Sequence, residues 1–349
     1  MDSKVGTQDR GHQATSPAQM PRRAWKDIAL RTWQRTWEDN VGLVAAGVAF
    51  YGFFAIVPLL GLIVLIYGVF ADPATVISNM QALTDILPND VAELIGEQLM
   101  GAVEASAGMK GLGIAVALAV ALYAGTNGAG AVITALNIAY EEKERRSLFR
   151  FYLVAIAITF AAVTMALLGL GAAAAIAALD NFIPDASGPI VMAGKIVGYF
   201  ALGLAAAAIA ATLYRFGPSR ENARWEWITP GSIVAAAAWM LLTLAFGFYV
   251  TSIADYNATY GSLGTIIVLL TWIYLSAYML VMGAELNSEI EHQTAHDSTT
   301  GPAQPMGKRG AWAADNVAED DTVQNRPEEA REGDKLTQAS PDMSDDRKD

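Results

Sequence analysis

Long apolar stretches alternate with polar connections along most of this chain. Six stretches stand out: Val41–Phe70, Gly111–Tyr140, Phe151–Leu179, Pro189–Tyr214, Ile228–Ala254 and Gly261–Ala284. Five hold no Asp, Glu, Lys or Arg, and the remaining one holds only Lys195. Each exceeds the roughly 20 residues that a helix needs to cross a bilayer core of about 30 Å. A backbone in lipid must satisfy its own hydrogen bonds, so the pattern predicts helices throughout. The expected fold is an all-α integral membrane protein, a six-transmembrane-helix bundle.

The connections carry weaker patterns. Residues 1–21 read as a disordered polar N-terminus. Within 22–40, Trp25, Ala29, Trp33 and Trp37 recur every four residues, with Arg22, Arg23, Lys26 and Arg35 off that stripe. This predicts an amphipathic interfacial helix, an aromatic anchor whose basic flank attracts anionic lipids. The membrane domain then runs over 41–291. Its outer loop, 71–110, repeats Val91, Leu94, Ile95, Leu99 and Val103 at helical spacing, which predicts amphipathic helices there. Residues 292–349 read as an acidic disordered cytoplasmic tail.

Basic residues set the orientation. The N-terminal region, the second and fourth connections (Lys143, Arg145, Arg146, Arg150; Arg215, Arg220, Arg224) and the C-terminal tail are rich in Lys and Arg. The first connection has only Lys110, and the third and fifth have none. This alternation predicts that both termini are cytoplasmic, with the chain in a bacterial inner membrane. No short apolar stretch ends in a cleavage site, so the first span is expected to act as an uncleaved signal.

Composition narrows the chemistry. A net charge of −12 argues against nucleic-acid binding. The absence of cysteine removes disulfides and thiolate chemistry. The three histidines, His12, His292 and His296, lie outside the apolar stretches, and nothing suggests a metal or cofactor site. No Ser/His, paired Asp or HExxH arrangement marks an enzyme. No GxxxxGK[ST] loop marks an ATPase.

The candidate cavity or gate residues are Tyr51, Pro58, Thr126, Asn127 and Lys195. Pro58 removes a backbone donor in mid-helix and predicts a kink. Thr126 and Asn127 sit among Gly125, Gly128 and Gly130, which either weaken the helix or permit close packing. Their polar groups suit a cavity or an interhelical hydrogen bond, and both readings stand. Lys195 suits snorkelling to the outer surface or a buried anion contact. At the inner face, Asn137, Tyr140, Glu285 and Asn287 form one group, with Glu285 expected to pair with Arg145 or Arg146. At the outer face, Tyr260, Gly261, Ser262 and Gly264 form another.

The stretch from about Trp33 to Glu291 resembles the YihY/BrkB family of bacterial inner-membrane proteins. The resemblance rests on Ala45-Ala46-Gly47-Val48-Ala49-Phe50-Tyr51 with Pro58, on Asn137-Ile138-Ala139-Tyr140, and on Pro230-Gly231 leading to Trp239. Tyr260-Gly261-Ser262-Leu263-Gly264, Trp272-Ile273-Tyr274-Leu275 and Gly283-Ala284-Glu285-Leu286-Asn287 complete it. It implies six helices with both termini inside. The family has also carried the label ribonuclease BN, which the scattered carboxylates and absent intramembrane histidines here argue against. Two functions are expected. One is a transporter or translocator of an amphipathic or lipid-linked envelope substrate. The alternative is a scaffold that binds envelope or lipid-synthesis partners.

Overall fold

The computed structural model describes residues 10–70, 112–177, 188–252 and 263–318. The expected helices of 71–110, and Tyr260, Gly261 and Ser262, lie outside the described residues. Eight α-helices follow one another: α1 (Arg22–Glu38), α2 (Val41–Phe70), α3 (Leu112–Ala139), α4 (Leu148–Ala177), α5 (Gly188–Phe216), α6 (Trp225–Ser252), α7 (Leu263–His292) and the short α8 (Trp312–Asp315). No strand occurs among the described residues. The one β-type contact is an isolated antiparallel bridge between Ala223 and Thr299. Among the described residues, four helical stretches are long and apolar enough to cross a membrane: Leu118–Ala139, Met192–Phe216, Trp225–Val250 and Leu263–His292. A fifth appears if α1 and the start of α2 form one bent span.

Large apolar side chains such as Leu43, Phe54, Tyr123, Phe200 and Leu241 point outward along these helices. In water such a surface would be costly, whereas in lipid it is the expected exterior. The main buried cluster gathers near one end of the bundle. It joins Val41, Leu136, Tyr140, Tyr214, Ile228 and Val281, with alanines between them. Helix α2 packs on α3 and α7, α6 packs on α5 and α7, and α4 packs on α3.

Helix α1 turns into α2 through 63°. Asn40 makes the turn with a φ of 50°, a left-handed conformation that Asn tolerates better than most residues. Its N–H donates to Trp37 O at 3.1 Å and its side chain to Glu38 O at 3.1 Å. The end of α3 is a Schellman motif. Glu142 N–H donates to Asn137 O at 2.7 Å and Glu141 N–H to Ile138 O at 2.9 Å. Glu141 holds the left-handed position, with φ 55°, where Gly is usual. Its pairing with Arg35 at 2.7 Å gives a reason for a charged residue there.

Two expectations about the termini need correction. Residues 10–21 were expected to be disordered, yet they contain a turn at Pro17–Gln19 and bury Ala14 and Met20 with Ile28, Trp227 and Ile290. Residues 292–318 of the expected disordered tail fold back on the bundle. Arg309 is buried and donates to the backbone carbonyls of Gln304, Ala314 and Ala295. Trp312 N–H donates to Glu142 Oε1 at 2.6 Å. The N-terminal segment joins this cap: Ala295 N–H donates to His12 O, and Thr294 Oγ1 to Ala14 O. Polar composition suggested disorder, but these polar groups pair with backbone, which composition does not register.

Candidate functional site

Asn287 has the most tightly constrained surroundings of the inner-face residues. Helix α6 contains Pro230 near its start, so one backbone donor is missing. Asn287 fills the disturbed turn from α7. Its Oδ1 accepts from Gly231 N–H at 2.7 Å and its Nδ2 donates to Ile228 O at 2.9 Å. The side chain is fully buried. Such a bond requires the backbones of α6 and α7 to touch. A Cβ at Gly231 would lie 2.3 Å from Gly283 O, and one at Gly283 would lie 2.4 Å from the Tyr214 hydroxyl. Tyr214 itself donates to Leu280 O at 2.7 Å, tying α5 to the same crossing.

Asn137 performs a similar task at the end of α3. It accepts from Ser219 N–H at 2.7 Å and donates to Glu144 Oε2 at 3.1 Å. Glu144 in turn accepts from Arg146, which also donates to Gly217 O. The Arg146 hydrogen bonds hold the Glu144 carboxyl at about 2, well below the usual 4.5. Tyr140 is fully buried, with the Arg220 guanidinium 4.9 Å from its ring.

Glu285 does not pair with Arg145 or Arg146. A closer acid, Glu144, has taken Arg146. Glu285 is buried beside Asp39, Glu289, Arg35 and Glu141, and its Oε1 lacks a hydrogen-bond partner. The neighbouring acids of α7 are paired instead. Glu289 meets Arg31 at 2.6 Å, and buried Glu291 meets Arg220 at 2.6 Å. Arg31 and Arg35, on the basic side of α1, thus serve α7. The aromatic side of α1 remains open, with Trp33 and Trp37 largely exposed. Trp227 differs from this pattern. It is 1% exposed, inside the cluster of the N-terminal segment.

Farther from this end, a cleft of about 430 Å³ opens between α2, α3 and α4. Its lining includes Tyr51, Thr126, Asn127, Thr134 and Tyr152, with Gly47 and Gly130 leaving room between them. Helix α3 stays continuous here, so its glycines serve close approach. A Cβ at Gly125 would meet Thr159 at 2.5 Å, and Gly128 faces the Tyr51 backbone. Thr126 donates to its own helix, at Tyr123 O. Asn127 is half-buried and its side chain makes no hydrogen bond among the described residues. The size falls within the range of small-molecule sites, and the lining is mostly apolar with a few polar groups. Pro58 lies inside α2 and Lys195 inside α5, and neither lines the cleft. Gly264 is buried in the first turn of α7. The missed residues are Thr134, Tyr152, Arg31, Arg220 and Arg309. The first two share a face only through helix packing, which has no local sequence signal. Among the described residues, no three His, Asp or Glu side chains are grouped to hold a metal.

The profile of the family described as virulence factor BrkB matches residues 32–307. A ribonuclease-like protein, YfkH of Bacillus subtilis, is 32% identical over 48% of this chain and 62% of its own length. A UPF0761 membrane protein of Albidiferax ferrireducens is 27% identical over 77% of this chain and 65% of its own length. Another, from Haemophilus influenzae, is 25% identical over 76% of this chain and 96% of its own length. The chain therefore spans a little under two thirds of the first two relatives. No solved structure matches it significantly.

Proposed function

The chain belongs to the family of the virulence factor BrkB, and we propose that it moves an amphipathic or lipid-linked envelope molecule across the bacterial inner membrane. In this reading α2 to α7 are six spans, with both termini cytoplasmic. The buried ion pairs and the cap then lie at the cytoplasmic end, where the basic connections gather. The sequence contains no GxxxxGK[ST] loop, and movement in this reading is passive, ion-coupled or driven by a partner.

The observation that carries this reading is the cleft around Asn127. A side-chain amide without a partner is unfavourable in hydrocarbon and favourable beside water or a polar substrate. An apolar wall with a polar stripe suits a molecule with both characters. The ribonuclease-like name of the Bacillus relative is not extended to this chain. A hydrolytic metal centre needs converging ligands, and the described residues offer no such group.

Single cysteines test the proposal, since the chain has none of its own. Tyr51→Cys and Asn127→Cys should react with a small membrane-impermeant thiol reagent from one side of the membrane. Tyr256→Cys serves as the outer control and Ile267→Cys as the membrane-depth control. Silence of positions 51 and 127 in both whole cells and inverted vesicles would mean a sealed bundle and would remove the transport reading.

A further inference from the structure

A second concavity, of about 670 Å³, lies where the turn after α3 meets the turn after α5. Arg145, Arg146, Arg150 and Arg220 line it against a single carboxylate, Glu221. Two of the four cations are already matched, Arg146 by Glu144 and Arg220 by Glu291. Arg145 and Arg150 are exposed and hold no carboxylate at ion-pair distance among the described residues. Arg150 also sits in the first turn of α4, where the helix dipole disfavours a cation and favours an anion beside it.

The rim identifies the kind of anion. Leu148 and Phe149 are 77% and 78% exposed, immediately beside Arg150. Phe216 lines the concavity itself and stacks edge-on with half-exposed Trp225 at 6.3 Å. Arg215 caps that pair, 4.6 Å from the Trp225 ring. Exposed aromatic and aliphatic groups around a guanidinium pocket suit the boundary between head groups and acyl chains. Guanidinium groups suit phosphate oxygens in geometry as well as charge.

We propose that this concavity binds a phosphate-type anion at the inner membrane surface, namely the head group of an acidic phospholipid, through Arg145 and Arg150. The site is separate from the cleft; its place at the inner surface rests on the orientation proposed above, and not on transport.

The test uses the full chain in neutral detergent, titrated with phosphatidylglycerol, phosphatidylcholine or inorganic phosphate. Wild-type protein should bind phosphatidylglycerol in preference to both other probes. The double variant Arg145→Gln/Arg150→Gln should lose about thirtyfold in that affinity, as expected for two surface cations. Arg145→Lys/Arg150→Lys should fall between wild type and the Gln variant, because it keeps the charge and loses the fork geometry. Both side chains are exposed, so an unchanged melting temperature is expected and certifies the fold. If inorganic phosphate binds as tightly as the lipid and loses the same factor, the anion site stands and its lipid source is overturned. Equal phosphatidylglycerol affinity in wild type and the Gln variant would overturn the site.

Discussion

At the scale of single residues, Asn287 has the clearest consequence. Its amide satisfies a donor and an acceptor of another helix, both buried. Asn287→Ala should destabilise the protein by roughly 2–6 kcal/mol, since each of the two orphaned buried groups costs about 1–3. Asn287→Asp keeps the acceptor and should fall between. Thermal melting in detergent measures both, and an unchanged Ala variant would mean that the crossing does not depend on this amide. Glu144 carries a pH signature. Its folded value of about 2 lies below the usual 4.5, so its contribution is present above pH 4.5 and is lost as pH falls toward 2. Glu144→Gln should flatten the melting temperature over that window, and a slope equal to wild type would assign the acid sensitivity to other groups. The sequence marked Asn137, Glu285 and Asn287 as one inner-face group but not their partners. Asn287 and Gly231 are 56 positions apart, and nothing local records that meeting. The expected pairing of Glu285 with Arg145 or Arg146 does not form: Glu144, two residues from Arg146, is the nearer acid, and Glu285 lies beside Asp39, Glu289 and Arg35 instead.

At the scale of elements, apolar length located the helices well. The first stretch coincides with α2, Val41–Phe70. The last was expected to end at Ala284, yet α7 runs on to His292. The charges beyond Ala284 do not end the helix, because Glu289 and Glu291 are buried against Arg31 and Arg220. A paired acid can continue a helix through a buried region, and the pairing is invisible in a hydropathy pattern. Arg220→Ala leaves Glu291 buried without its cation, a loss of roughly 3–5 kcal/mol. It should loosen residues 292–318, read as faster proteolysis there. Arg220→Met with Glu291→Met should restore much of the resistance, because an apolar pair carries no stranded charge. Equal cleavage of wild type and Arg220→Ala would show that the cap is held by its other contacts. The α6–α7 crossing is just as specific. Gly231→Ala would push a methyl group to within 2.3 Å of a backbone oxygen, so the helices must separate. A cost of about 1–3 kcal/mol or more is expected from overpacking. A melting temperature equal to wild type would mean that the crossing can open freely.

At the scale of the whole molecule, the structure has two unlike ends. One end is dense with buried pairs, covered by a cap that draws on both the N-terminal segment and residues 292–318. Toward the middle, the packing opens into the cleft between α2, α3 and α4. The bundle itself was legible from hydropathy. The cap was not, because its hydrogen bonds run largely to backbone and join segments some 280 positions apart. Tyr51, Thr126 and Asn127 were legible as polar groups within apolar stretches, while their shared cleft depends on how three helices pack. The central claim is that this cleft is wet. A spin label at Asn127→Cys in the reconstituted protein measures that directly, through collisions with a water-soluble nickel chelate and with lipid-soluble oxygen. A wet cleft gives nickel accessibility well above that of a label at Ile267→Cys. Strong oxygen access with nickel access no higher than at position 267 would place Asn127 in lipid and contradict it.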